Sequence, residues 1–122
     1  PDIGVVTAVG YSHTERVGGI DGVAKAKREL VAALPKSGTA ILNGDDERVA
    51  AMAKHTGASV LTYGTAANGG GDICISNLVL DDLARPSFRV DTPWGSGVVQ
   101  LAISGEHMAM NAAAAIAVAG SV

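Results

Sequence analysis

The chain has 122 residues, the size of one ordinary domain, with 48% hydrophobic but only 3% aromatic residues, so its interior must be filled by Ala, Val, Ile and Leu. Nine basic residues stand against 12 acidic ones, a net charge of −3, and neither sign forms a block, which argues against nucleic acid or an anionic membrane surface as partner. Cys74 is the single cysteine, which excludes an internal disulfide and a cysteine-based zinc cluster and fits a reducing, cytoplasmic setting.

No apolar run approaches the roughly 20 residues that cross a bilayer, and no signal pattern opens the chain; a soluble protein is expected. Pro1 precedes a strand-like run directly and Gly120-Ser121-Val122 follows a helix-like one, so both ends read as cut from something longer.

In chain order, Ile3 to Val9 is apolar and β-branched without alternation, the pattern of a parallel strand covered on both faces. After a loop over Gly10 to Gly19, the residues Ile20, Val23, Ala24, Lys27, Val31 and Leu34 recur at helical spacing, and Pro35 and Gly38 close that helix. Thr39 to Leu42 is a second buried strand. It ends in the turn Asn43-Gly44-Asp45-Asp46, which offers an N-cap to a helix running to about His55. Ser59 to Tyr63 is the third strand, and strand–helix alternation implies a parallel sheet.

Gly64 to Gly71 reads as a flexible stretch and Gly69-Gly70-Gly71 as a mobile loop. Beyond it, Asp72 to Leu80, Ser87 to Thr92 and Gly97 to Ile103 are short strands, with Pro93 to Gly97 as a tight connection. Alternation places Cys74 opposite to Ile73 and Ile75. Met108 to Ala119 is an Ala-rich helix suited to close approach. The expected class is α/β: a partial parallel sheet with crossover helices over 1–64, a small antiparallel β unit over 72–103, and a closing helix over 107–120.

Lys27 falls on the apolar stripe, whereas Lys25, Arg28 and Glu29 point elsewhere. It is either a lysine whose ammonium snorkels to water or a functional lysine in a partly dry site. His13 follows the first strand at the carboxyl edge of the sheet, where ligands bind in open α/β folds; a solvated loop histidine is the plain alternative. Asn43, Asp45 and Asp46 lie at the next strand end on that edge, as a ligand site or simply as a capped turn. His55 suits a helix C-terminus, and His107 and Asn111 suit the start of the last helix. No G-x-x-x-x-G-K-[ST] loop occurs in the chain, and no serine has the glycine context of a nucleophile elbow.

Pro1 to Thr7, Ser12-His13-Thr14-Glu15 and Gly22-Val23-Ala24-Lys25-Ala26-Lys27-Arg28-Glu29-Leu30 together resemble the central ATP-binding domain of the Mur ligases. The likeness continues through Leu42-Asn43-Gly44-Asp45-Asp46 and Thr62-Tyr63-Gly64, and ends with Gly105-Glu106-His107-Met108-Ala109-Met110-Asn111-Ala112-Ala113-Ala114. It is nearest to the MurF branch. Ala8 stands where that branch has Asn, and Met108 where it has Asn after the histidine.

The resemblance implies a piece of an ATP-dependent amide ligase of peptidoglycan precursor synthesis. Such an enzyme adds D-alanyl-D-alanine to a UDP-MurNAc-tripeptide through an acyl phosphate, with ATP and Mg2+ as cofactors. It further implies that Lys27, carbamylated, and His13 serve a magnesium ion, that Asn43 lies near adenine, and that Asp45 and Asp46 occupy acidic positions of the nucleotide site. The phosphate loop belongs upstream of this piece, so the chain by itself is expected to be inactive. The rival readings are another ligase of the superfamily, of the folylpolyglutamate synthase or cyanophycin synthetase type, and a non-catalytic binding module of the same shape.

Overall fold

The structure is a computed structural model that describes residues 2–7 and 20–122. Within them a single six-stranded sheet runs in sequence order. Its strands are β1 (Ile3–Val6), β2 (Thr39–Asn43), β3 (Ser59–Thr65), β4 (Ile73–Leu80), β5 (Pro86–Thr92) and β6 (Gly95–Gln100). The helices are α1 (Ile20–Ala32), α2 (Glu47–Ala50) and α3 (Met108–Ser121).

Strands β1 to β4 are mutually parallel, and β4–β5 and β5–β6 are antiparallel. The expected antiparallel unit is present, and β4 belongs to both arrangements: it pairs parallel to β3 through Tyr63–Ile73 and Thr65–Ile75, and antiparallel to β5 through Cys74–Asp91. The two parts are therefore one sheet.

The glycine run that reads as a mobile loop in sequence forms a hydrogen-bonded return from β3 to β4. Gly70 N–H donates to the Thr65 carbonyl at 2.8 Å and Gly69 N–H to that of Ala66 at 3.2 Å. The Asp72 carboxylate accepts from Thr62 N–H at 2.9 Å. Gly69 and Gly70 both have positive φ, 98° and 75°, a conformation that glycine adopts without steric cost.

The parallel strands are covered on both faces, which is why their sequences do not alternate. Ala40, Ile41 and Leu42 are all wholly buried. Ile41 joins Tyr63, Ile73, Ile75, Phe88 and Val90 under Ala109, Ala113, Ala114 and Ala117 of α3. On the opposite face Ala40 and Leu42 pack with Val6, Val31, Leu34, Val49 and Met52, residues contributed by β1, by α1 and the turn after it, and by α2 and the segment that follows it. Cys74 is half-buried between two buried isoleucines, as its place in the alternation requires.

Helix α1 has the expected phase where its side chains are described: Val31 and Leu34 are buried, Lys27 is half-buried and Lys25 exposed. Arg28, read as pointing away, is half-buried as well; it borders a small cavity with Ala24, Arg48, Met52 and His55. The helix expected to run to His55 is a single α turn followed by a 3-10 segment over Ala51–His55, a common way for a short helix to tighten at its end. At the far end of the sheet, a Cβ on Gly120 would collide with the Trp94 ring, so the glycine lets the β5–β6 turn fold against the end of α3.

Tyr63 is the bulkiest of the fully buried side chains among the described residues. Burial, and secondarily the negative charge of Asp45, push its phenol from 10.0 up to about 12. The neutral phenol is thus favoured by the fold. Stability contributed by Tyr63 is complete below the unfolded value, at about pH 10, and is lost as pH rises through the folded value near 12, because the unfolded chain ionises first. Denaturant titrations of the wild type should show unfolding free energy falling by up to about 2 kcal/mol more than in Tyr63→Phe across that window. Parallel pH profiles for the two proteins would contradict this.

Candidate functional site

The carboxyl ends of β2 and β3 and the beginning of α3 enclose a cleft. It has a volume of about 830 Å³. One wall is Asp45, Thr65 and the short 3-10 turn Ala66–Asn68; another is Ile75, Ser76, Asn77 and Leu78 of β4; the third is Glu106, His107, Ala109 and Met110. The walls thus alternate polar groups with an apolar floor, as small-molecule sites do. The position at the strand ends is where open α/β sheets bind ligands.

Asp45 sets the geometry of the first wall. Its carboxylate accepts from Thr65 N–H at 3.0 Å and from Thr65 Oγ1–H at 2.8 Å, linking the ends of β2 and β3. Gly64 permits this approach, since a Cβ there would lie 2.7 Å from Asp45 Oδ1 and 2.9 Å from the Gly70 carbonyl oxygen. Asn43 Oδ1 accepts from Asp45 N–H at 2.9 Å, and its Nδ2–H donates to the Thr7 carbonyl at the end of β1. Asp46 caps α2, accepting from Arg48 and Val49 N–H at 3.0 and 3.3 Å.

Of the residues singled out in sequence, the turn holds Asn43, Asp45 and Asp46 together, and of these Asp45 borders the cleft. Lys27 lies on α1, whose buried residues pack on the sheet face opposite α3. It has an interaction partner of its own. His13 lies outside the described residues. Among the described residues no group of three His, Cys, Asp or Glu side chains could hold a metal ion, and Lys27 would need His13 and groups from elsewhere to complete a magnesium site. The cleft, by contrast, has the size and mixed lining of a small-molecule site.

His107, expected to cap or hydrogen-bond at the start of the last helix, makes no side-chain cap to α3 and borders the cleft with Glu106. Thr65, Ser76 and Asn77 carried no signal of their own. They are polar residues at a strand end and along a strand, and only the pairing of β3 with β4 brings them together. No helix among the described residues is long and apolar enough to cross a membrane.

Residues 1–119 match the family model described as the Mur ligase middle domain. The UDP-N-acetylmuramoyl-tripeptide–D-alanyl-D-alanine ligase of Mycobacterium tuberculosis is 41% identical over 119 residues, covering 98% of this chain and 23% of that protein. Among solved structures, MurF from Acinetobacter baumannii superposes with a TM-score of 0.88 at 30% identity, over 99% of this chain and 26% of that one. MurF ligase from Thermotoga maritima in complex with ADP shares the fold, with a TM-score of 0.80 at 21% identity over 99% and 27%. The chain spans about a quarter of the length of these relatives. With the matched model covering the parallel strands, the antiparallel extension and nearly all of α3, this chain belongs to the Mur ligase middle domain family.

Proposed function

We propose that this chain is the nucleotide-side part of an ATP-dependent ligase that joins D-alanyl-D-alanine to a UDP-MurNAc-tripeptide in peptidoglycan precursor synthesis. The carrying observation is identity of 41% along 98% of the chain to a ligase named for that reaction. The cleft at the sheet's carboxyl edge supports it, being of a size for the adenosine part of ATP; the Thermotoga relative is a complex with ADP. ATP would supply the phosphoryl group that activates the substrate carboxylate, and D-alanyl-D-alanine the amine that displaces it.

Within this reading the chain's own residues divide the work. Asp45 binds Thr65 and so fixes the distance between the ends of β2 and β3, while Asn43 fixes the turn to the end of β1. Asn43 therefore shapes the adenine side of the site through the backbone, Asp45 borders the nucleoside directly, and Asp46 holds the start of α2. Ile75, Leu78, Ala109 and Met110 exclude water from the faces of the base. Lys27 and His13 are the residues of this chain that would approach magnesium, Lys27 as a carbamate, whose oxygens suit a hard cation.

In the full-length parent, phosphate release should require ATP, the UDP-MurNAc-tripeptide and D-alanyl-D-alanine together, and the 122-residue chain by itself should release none above a no-protein blank, because phosphoryl transfer depends on charge positioned by a phosphate loop that this chain lacks. A parent equally active with a glutamate tail or an aspartate–arginine polymer as acceptor would instead favour a different branch of the superfamily.

Lys27→Ala in the parent should lower kcat by about a hundredfold or more with its melting temperature little changed, whereas Lys25→Ala, on the exposed side of α1, should stay within about twofold of wild type. Partial recovery of Lys27→Ala by added short carboxylic acids would support the carbamate. A crippled Lys25→Ala beside a normal Lys27→Ala would refute the assignment.

A further inference from the structure

Asn77, in the β4 wall of the cleft, has a φ of 53°, in the left-handed region that costs energy for a residue with a Cβ. It sits where the β4–β5 register shifts between Ser76 and Val79, and such a bulge redirects the side chain beside it. The other non-glycine residue of this kind among the described residues, Ala84 with φ 59°, closes the β4–β5 hairpin, its N–H donating to the Asp81 carbonyl at 2.9 Å. No turn accounts for Asn77. It is exposed and borders the cleft opposite His107 and Glu106. The amide of Asn43 is committed to the Thr7 carbonyl and the Asp45 N–H. The amide of Asn77, in contrast, is not among the groups hydrogen-bonded or otherwise engaged within the described residues.

We propose that Asn77 is a specificity-determining residue, its side-chain amide reading the edge of the purine base, and the 6-amino group in particular, of the nucleotide in the cleft. This rests on the reading of the cleft as the adenosine site. A primary amide offers one acceptor and two donors on neighbouring atoms. That set matches an exocyclic amino group beside a ring nitrogen, the way asparagine recognises adenine elsewhere. The left-handed conformation explains why this position suits asparagine, which tolerates it better than most residues with a Cβ, and the bulge presents the amide to the ligand rather than to the neighbouring strand.

The test uses the full-length parent, wild type and Asn77→Gly, with ATP and with purine riboside triphosphate, which lacks the 6-amino group. Glycine keeps the positive φ and removes only the amide, so a merely structural role of Asn77 predicts no change in nucleotide preference. Asn77→Gly should raise KM for ATP about tenfold, leave kcat within about twofold and leave KM for the purine analogue unchanged, so that the preference for ATP collapses. A preference retained within about twofold overturns the assignment. Photolabelling of the wild type with 8-azido-ATP separates the two levels. Label in residues 65–68 or 106–110 with an unchanged preference overturns the role of Asn77 alone, and label confined elsewhere overturns the cleft reading and this proposal together.

Discussion

Close contact between the alanine face of α3 and the sheet is the constraint on which the rest depends. Ala109, Ala113, Ala114 and Ala117 are buried, at spacings that put them on one side of the helix. Their small side chains let α3 lie directly on Ile41, Tyr63, Ile73, Ile75, Phe88 and Val90, residues drawn from β2, β3, β4 and β5. A helix with leucines in those places would stand off the sheet or strain it, since interiors are packed too densely to absorb the added volume. With 3% aromatic residues, the chain has few large side chains that could fill a wider gap.

The same contact makes the cleft. Because α3 crosses from the ends of the parallel strands to the β5–β6 turn, its first turn, with His107 and Glu106 just before it, faces the strand ends where Asp45 and Thr65 meet. Strand β4 then supplies the remaining wall, pairing parallel on one side and antiparallel on the other. The site is therefore a product of the junction between the two parts of the sheet, and neither part would form it alone. In the proposed ligase this junction would hold the nucleoside, with α1 and Lys27 on the opposite face of the sheet.

Much of the fold was legible because local patterns and burial agree. The unalternating strand Thr39 to Asn43 is covered on both faces, the phase of α1 puts Lys27 inward and Lys25 outward, and Asp46 caps α2 as its place before the helix suggested. The return from β3 to β4 was not legible, because three glycines look like a boundary. What orders them is Thr62 and Thr65 bonding to a carboxylate and a backbone N–H that follow later in the chain. A place at a strand end, and then family likeness, directed attention to Asn43, Asp45 and Asp46, but neither could separate the one that borders the cleft from the two that serve the backbone. Asn77 and Thr65 were invisible for a simpler reason: their significance comes from a bulge and a hydrogen bond across 20 residues, neither of which has a sequence period.

If α3 binds the two parts of the sheet into one unit, their opening must be coupled. Native-state hydrogen exchange on Ala113→Leu, which places a large side chain at a wholly buried position of that contact, measures this directly. The account predicts that amides of β2 and β5 lose protection together and by similar factors, as members of one cooperative unit. Protection lost in β5 while β2 and β3 remain as in the wild type would contradict it.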